Sequence, residues 1–135
     1  MNLAEQERVA ARLARARVGI VGLGGLGSNV AWMLVRAGVG ALVLADPDSV
    51  DASNLDRQFY FLDQVGMAKT EALAENLRRI RSDVRLDLHQ RRIAPDDIAL
   101  LFGRCDALVE AVDAADAKAP PRRCLGLAAT PVSYT

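Results

Sequence analysis

Residues able to hold an anionic ligand crowd between positions 22 and 69. Gly22, Gly24 and Gly27, with Gly25 between them, fit G-x-G-x-x-G: a tight turn, a place where backbone can approach phosphate, and close packing of helix on strand. The helix N-terminus that follows such a turn favours an anion through free N–H groups and its dipole. Asp46 comes about 20 residues after the last glycine, where a carboxylate can accept hydrogen bonds from ribose hydroxyls. NAD and ATP both carry that ribose, so the motif says nucleotide without saying which one. A turn without a ligand and a solvated strand-end acid are the plain alternatives, and Asp48 and Asp51 read equally well as loop charges.

The segment SNLDRQ, residues 53–58, separates the two nucleotides. Asn54, Arg57, Gln58 and, farther on, Lys69 add two cations and two amides to a site that already has a helix N-terminus. That is more positive charge than a dinucleotide pyrophosphate needs, and it suits a triphosphate. Arg57 offers a planar fork to phosphate oxygens and Lys69 a point charge, so together they could hold ATP and stabilise charge during nucleotidyl transfer. Asp113 closes the fourth expected strand and is a candidate magnesium ligand, since magnesium takes one or two carboxylates plus phosphates and waters. Arg57, Lys69 and Asp113 are therefore the candidate catalytic groups. Cys105 and Cys124 form no CxxC pair and His89 stands alone, so no zinc is expected.

Regular elements must bring these residues together. An amphipathic helix is expected over 4–16 with Val9, Leu13 and Ala16 on one side, then a strand over 18–21, the glycine turn, and a helix over 26–37. ALVLAD, residues 41–46, is apolar enough for a parallel strand buried on both faces. A long connection over 47–65 contains Phe59, Tyr60 and Phe61, which argue against disorder. A helix over 66–82 with Ala68, Leu73, Leu77 and Ile80 inward, a strand over 84–88, a helix from Pro95 to Leu101 and a strand over 107–113 complete the order. This β-α-β-α-β-α-β order predicts an α/β fold, a Rossmann-like doubly wound parallel sheet with flanking helices. The domain covers 1–119, with an irregular tail over 120–135 after Pro120-Pro121 and an incomplete C-terminal end.

Composition bounds the partners. Seventeen basic residues balance seventeen acidic ones in 135, and 51% hydrophobic content fills one core. No global field draws the chain to nucleic acid or an anionic membrane, so anion binding must be local. The N-terminus lacks a secretory pattern and no apolar run is long enough to span a bilayer, which makes cytoplasm the expected compartment.

The stretches GLGGLGSNVAWMLVRAGVGALVLADPDSVDASNLDRQ, VGMAKTEALAENLRRI and CDALVEAVDAADAKA resemble the ubiquitin-activating-like adenylyltransferases of the ThiF, MoeB and HesA group, over about residues 17–119. GSNVA paired with VEAVDAADAKA looks most like the short ThiF form. The resemblance implies a homodimeric Rossmann-like enzyme that uses ATP and Mg2+ to adenylylate the terminal Gly-Gly carboxylate of a ubiquitin-fold sulfur carrier of the ThiS type, in thiamine biosynthesis. It implies that Gly22, Gly24, Gly25 and Gly27 line the phosphates and Asp46 holds ribose. By the same resemblance Asn54, Arg57, Gln58 and Lys69 contact phosphates, and Asp113 supports magnesium. An arginine near the N-terminus, Arg8, Arg12 or Arg15, could reach the partner subunit's ATP. The zinc-binding CxxC pairs of many relatives are absent here. The alternatives are adenylylation of another carrier or of a tRNA-linked carboxylate, an NAD-dependent oxidoreductase fragment, and an inactive nucleotide-binding module. The short chain as given is expected to be a poor adenylyltransferase.

Overall fold

The computed structural model describes residues 1–112 and 130–133. The chain runs α1 (Leu3–Arg15), β1 (Arg17–Val21), α2 (Gly27–Ala37), β2 (Ala41–Ala45), α3 (Lys69–Ile80), β3 (Arg85–His89), α4 (Pro95–Phe102), β4 (Ala107–Glu110) and β5 (Thr130–Ser133). All strands are parallel, in the order β3-β2-β1-β4-β5. Chain order reverses between β1 and β4, which places a crevice at their carboxyl ends. This is the α/β doubly wound sheet expected from the sequence.

Side-chain alternation splits the core in two. Ile20, Leu42, Leu44 and Val109 face α2 and α3, together with Leu73 and Leu77. Val21, Val43, Ala45 and Leu108 face α4 and its Ile98 and Phe102. Strand β2 is buried along its whole length, which is why it reads as an unbroken apolar run. Edge strand β3 keeps Arg85 and Asp87 exposed, and charge on an edge discourages stray strand pairing.

Three expectations need adjustment. Helix α1 is capped by Asn2, whose side chain accepts from the Glu5 N–H, yet it buries no residue. Leu13 and Ala16 pack on the core while Val9 stays 44% exposed, so the expected stripe is only partly used. Helix α3 starts at Lys69 and not at Gly66, because residues 66–68 are taken up closing the preceding loop: Gly66 N–H donates to the Val50 carbonyl, and Ser49 bridges to Ala68. Ala68 is thus the residue before the helix, not part of its inner stripe. Thr130–Ser133 forms a strand on β4 inside the stretch expected to be irregular. Four residues offer no period to read, and an edge strand tolerates its proline. The expectations for Asp113, the two prolines at 120 and 121, and Cys124 fall outside the described residues. Among the described residues no helix is long and apolar enough to cross a membrane.

Candidate nucleotide site

The crevice is built around one turn. Gly22 leaves β1 at φ 93°, and its N–H donates to the Ala45 carbonyl at the end of β2. A side chain there would come within 2.7 Å of the Ala111 carbonyl oxygen just past β4, and one at Gly27 within 1.7 Å of the Gly22 oxygen. Only glycine lets three strand ends and a helix start meet this closely. No acidic residue occupies the first turn of α2, which leaves that end favourable to an anion.

Asp46 stands beside the turn, 6% exposed. One carboxylate oxygen accepts from Leu23 N–H at 2.8 Å and the other from Asp48 N–H at 2.7 Å. Burial pushes its pKa above the ordinary carboxylate value, and the two N–H donors and the nearby Lys69 charge only partly offset that. Each oxygen keeps a lone pair for a further donor. Tyr60, buried, donates its hydroxyl to the Leu23 carbonyl at 2.6 Å. Its pKa is raised by burial and by Asp46, so it remains a neutral donor. Leu23 is therefore held at both its N–H and its carbonyl.

Residues 46–68 form a compact loop whose ends are tied: Val50 N–H donates to Met67 O, and Lys69 N–H to Asp48 O. Within it, Asp51 accepts from Ser53 N–H while the Asn54 side-chain oxygen accepts from Asp51 N–H at 2.9 Å. The Asn54 carbonyl accepts from Gln58 N–H. Arg57 and Gln58 are carried over the glycine turn: Arg57 Cγ lies 3.6 Å from where a Gly25 side chain would begin, and Gln58 Nε2 3.5 Å from the corresponding point at Gly24. The Arg57 guanidinium is exposed and bonds Ser53 O at 3.0 Å and Asp56 at 2.9 Å. Gln58 Oε1 is buried without a hydrogen-bond partner among the described residues.

Five polar residues outside the expected site set fasten this loop. Ser28 Oγ donates to Gly24 O and accepts from Phe59 N–H at 3.0 Å. Asn29 Nδ2 donates to Gly25 O and to Arg57 O. Tyr60 holds Leu23, as above. Gln64 and Asn76 exchange amide hydrogen bonds of 2.8 and 3.0 Å, and Asn76 also donates to Phe59 O. The only sequence signal for the first pair is SN directly after the glycines.

The expected residues are thus sorted by geometry. Gly22, Gly24, Gly25, Gly27, Asp46, Arg57 and Gln58 share one crevice, and buried Lys69 opens α3 close enough for its charge to act on Asp46. Asn54 is there too, but its side-chain oxygen and its carbonyl are both committed to the loop's own N–H groups. Asp113 lies outside the described residues. Among those described, no three carboxylates, cysteines or histidines cluster to hold a metal. Magnesium on a nucleotide needs only one or two carboxylates, so the donor set does not conflict with it. Arg12 and Arg15 lie beside Asp106 and Ala16, at the amino ends of the strands and away from the crevice of their own chain.

Residues 2–134 match the model of the ThiF family. The chain is 44% identical over 86 residues to a ubiquitin-like modifier-activating enzyme 5 of Drosophila persimilis, covering 64% of this chain and 22% of that one. Among solved structures, the Escherichia coli tRNA N6-threonylcarbamoyladenosine dehydratase TcdA in complex with ATP superposes with a TM-score of 0.76 at 35% identity, covering 79% of this chain and 45% of that one. Escherichia coli MccB with ATP gives 0.72 at 31% identity, covering 78% and 32%. The chain spans less than half the length of each.

Proposed function

We propose, from the premise that this chain belongs to the ThiF family, that its crevice binds ATP and serves adenylylation of a carboxylate. The observation that carries the reading is the seating of Arg57 and Gln58 on the glycine turn. It concentrates a cation and an amide where a phosphate chain would lie. Likeness to two structures that contain ATP supports the same nucleotide.

The acceptor we favour is the terminal Gly-Gly carboxylate of a ubiquitin-fold sulfur carrier of the ThiS type, within thiamine biosynthesis, on a homodimer. The sequence resemblance to the short ThiF form supports it, and the name of the ubiquitin-like modifier-activating relative supports the carrier class. Activation of a tRNA-linked carboxylate is the second reading, favoured by the likeness to TcdA.

The reaction needs no general base, since a terminal carboxylate of pKa about 3.5 is ionised at neutral pH. Its oxygen attacks the α-phosphorus, the bond to the bridging oxygen breaks, and pyrophosphate leaves with the electron pair. The difficulty is repulsion between anions. Arg57 and Lys69 lower it by placing positive charge beside the phosphates, Asp46 holds the ribose, and the Gln58 side-chain amide N–H, which lies over Gly24, donates to a phosphate oxygen. Magnesium would neutralise phosphate charge. Asp113 is the residue proposed to hold it, because it comes directly after Val112, whose nitrogen passes within 3.0 Å of the Gly22 side-chain position.

Calorimetry with Mg·ATP and with NAD tests the nucleotide. ATP should bind at least tenfold more tightly than NAD, and Arg57→Ala should weaken ATP by about tenfold, the worth of one charge-assisted contact. NAD binding more tightly, or ATP indifferent to Arg57→Ala, would remove the phosphate assignment. Exchange of labelled pyrophosphate into ATP that depends on a small protein ending in Gly-Gly would identify the acceptor.

A further inference from the structure

We infer that Asn29, locked in place by Trp32, is a positioning residue that aims Arg57 at the nucleotide phosphates; the inference rests on the ATP reading above. Both hydrogens and the oxygen of the Asn29 amide are engaged. Its Nδ2 donates to Gly25 O at 2.5 Å and to Arg57 O at 2.9 Å, while its Oδ1 accepts from the Trp32 indole N–H at 3.0 Å. An indole nitrogen can only donate, so it fixes which end of the amide is oxygen. Both amide hydrogens therefore point at carbonyls, one from the glycine turn and one from the distant loop.

The consequence is a division of Arg57 into a fixed root and a free head. Asn29 ties down its carbonyl, and Ser28 ties down Phe59 N–H two residues on. The aliphatic stem lies against Gly25. Among the described residues the guanidinium is held only by Ser53 O and by Asp56, itself 77% exposed, and such exposed pairs hold weakly. Trp32 packs at 6.2 Å from the Phe59 ring and carries Arg36 at 5.9 Å from its own ring, so the lock is braced from two sides. A cation whose root is already ordered loses less freedom when it meets phosphate, and the head needs only to swing from Asp56 to the ligand. A bare structural staple would hold the loop without this coupling.

A double-mutant cycle separates the two. Asn29→Leu keeps the branched four-atom side-chain skeleton, adds no charge and strands both carbonyls. Mg·ATP binding is titrated into the full chain, Asn29→Leu, Arg57→Ala and the double variant. Asn29→Leu should weaken ATP by about tenfold when Arg57 is present and by less than about twofold when it is absent. Trp32→Phe, which removes the indole donor and trims the ring that braces the lock, should move ATP affinity in the same direction by a smaller factor, and it carries the cycle if Asn29→Leu fails to fold. Without nucleotide, Asn29→Leu or Trp32→Phe should accelerate backbone hydrogen exchange over residues 55–60 and leave the central strands protected. Independent, multiplicative losses in the cycle overturn the positioning role while leaving the ATP reading standing. If the unaltered chain binds no ATP, both fall, even where the exchange arm still shows the staple.

Discussion

Burial works against the negative charge of Asp46. Its pKa is raised mainly by desolvation, with Leu23 N–H, Asp48 N–H and Lys69 pulling the other way. A carboxyl raised in the folded state binds protons more tightly there, so its contribution to stability is greatest below pH 3.8 and is lost as pH climbs through the raised value. Asp51 and Asp97 have lowered values, set chiefly by bonds from Ser53 and Ala94, and act with the opposite sign. Wild type should therefore lose stability relative to Asp46→Asn as pH rises from below 3.8 through the raised folded-state value, read as the difference between their melting temperatures over an acid-to-neutral series. A difference flat with pH would mean that the carboxylate is not strained by burial. The same substitution should weaken ATP, because an amide nitrogen then replaces one acceptor oxygen. Asp46 and the glycines were legible in the sequence because their task is local: a turn, a helix start and a strand end fix them within a short span. Ser28, Asn29 and Tyr60 were not, since their partners lie 28 to 37 residues away and a serine or asparagine at a helix start reads simply as a cap.

The loop of residues 46–68 behaves as an element in its own right, and its fastening to α3 passes through the buried Gln64 and Asn76 amides. Gln64 Nε2 donates to Asn76 Oδ1, Ala72 O and Glu75, and its oxygen accepts from Phe61 N–H and Asn76. Removing one member leaves buried partners unsatisfied, which costs about 1–3 kcal/mol per group. Asn76→Ala should thus lower unfolding free energy by about 2–3 kcal/mol in urea titrations, more than an exposed polar substitution does. A loss below about 0.5 kcal/mol would show that water replaces the pair at no cost. Strands β1, β2 and β4 could be read from apolar runs because central parallel strands are covered on both faces, and helix α2 from its one buried stripe and the glycine that stops it. The start of α3 could not, because Lys69 and Ala68 suit a helix while the backbone at 66–68 is claimed by Val50 and Ser49. Local propensity loses wherever a nonlocal hydrogen bond competes for the same residues.

Across the whole molecule, the two layers on the sheet divide the work. The α2 and α3 side carries the ends that build the crevice, whereas the α4 side fills the opposite face through Phe102, fully buried with its ring against Gly19 and Leu108. Gly19 lies three residues before Gly22, roughly 10 Å along an extended strand, so the Phe102 ring touches no ligand-facing group directly, and the two energies should add. Phe102→Ala should cost about 3–5 kcal/mol, a large share of the 5–15 kcal/mol typical of a domain, and lower Tm by about 10–20 °C at this size. Mg·ATP at about a hundred times its Kd stabilises the folded state by about 2.7 kcal/mol. That increment should appear in both proteins, displacing the wild-type and Phe102→Ala unfolding free energies equally, because the variant's folded fraction keeps an intact glycine turn and Arg57 loop. Urea titrations at a series of ATP concentrations measure both terms at once. An ATP increment that shrinks in Phe102→Ala would mean that the α4 layer tunes the crevice through the sheet, and the separation of layers argued from Gly19 and Gly22 would then fail.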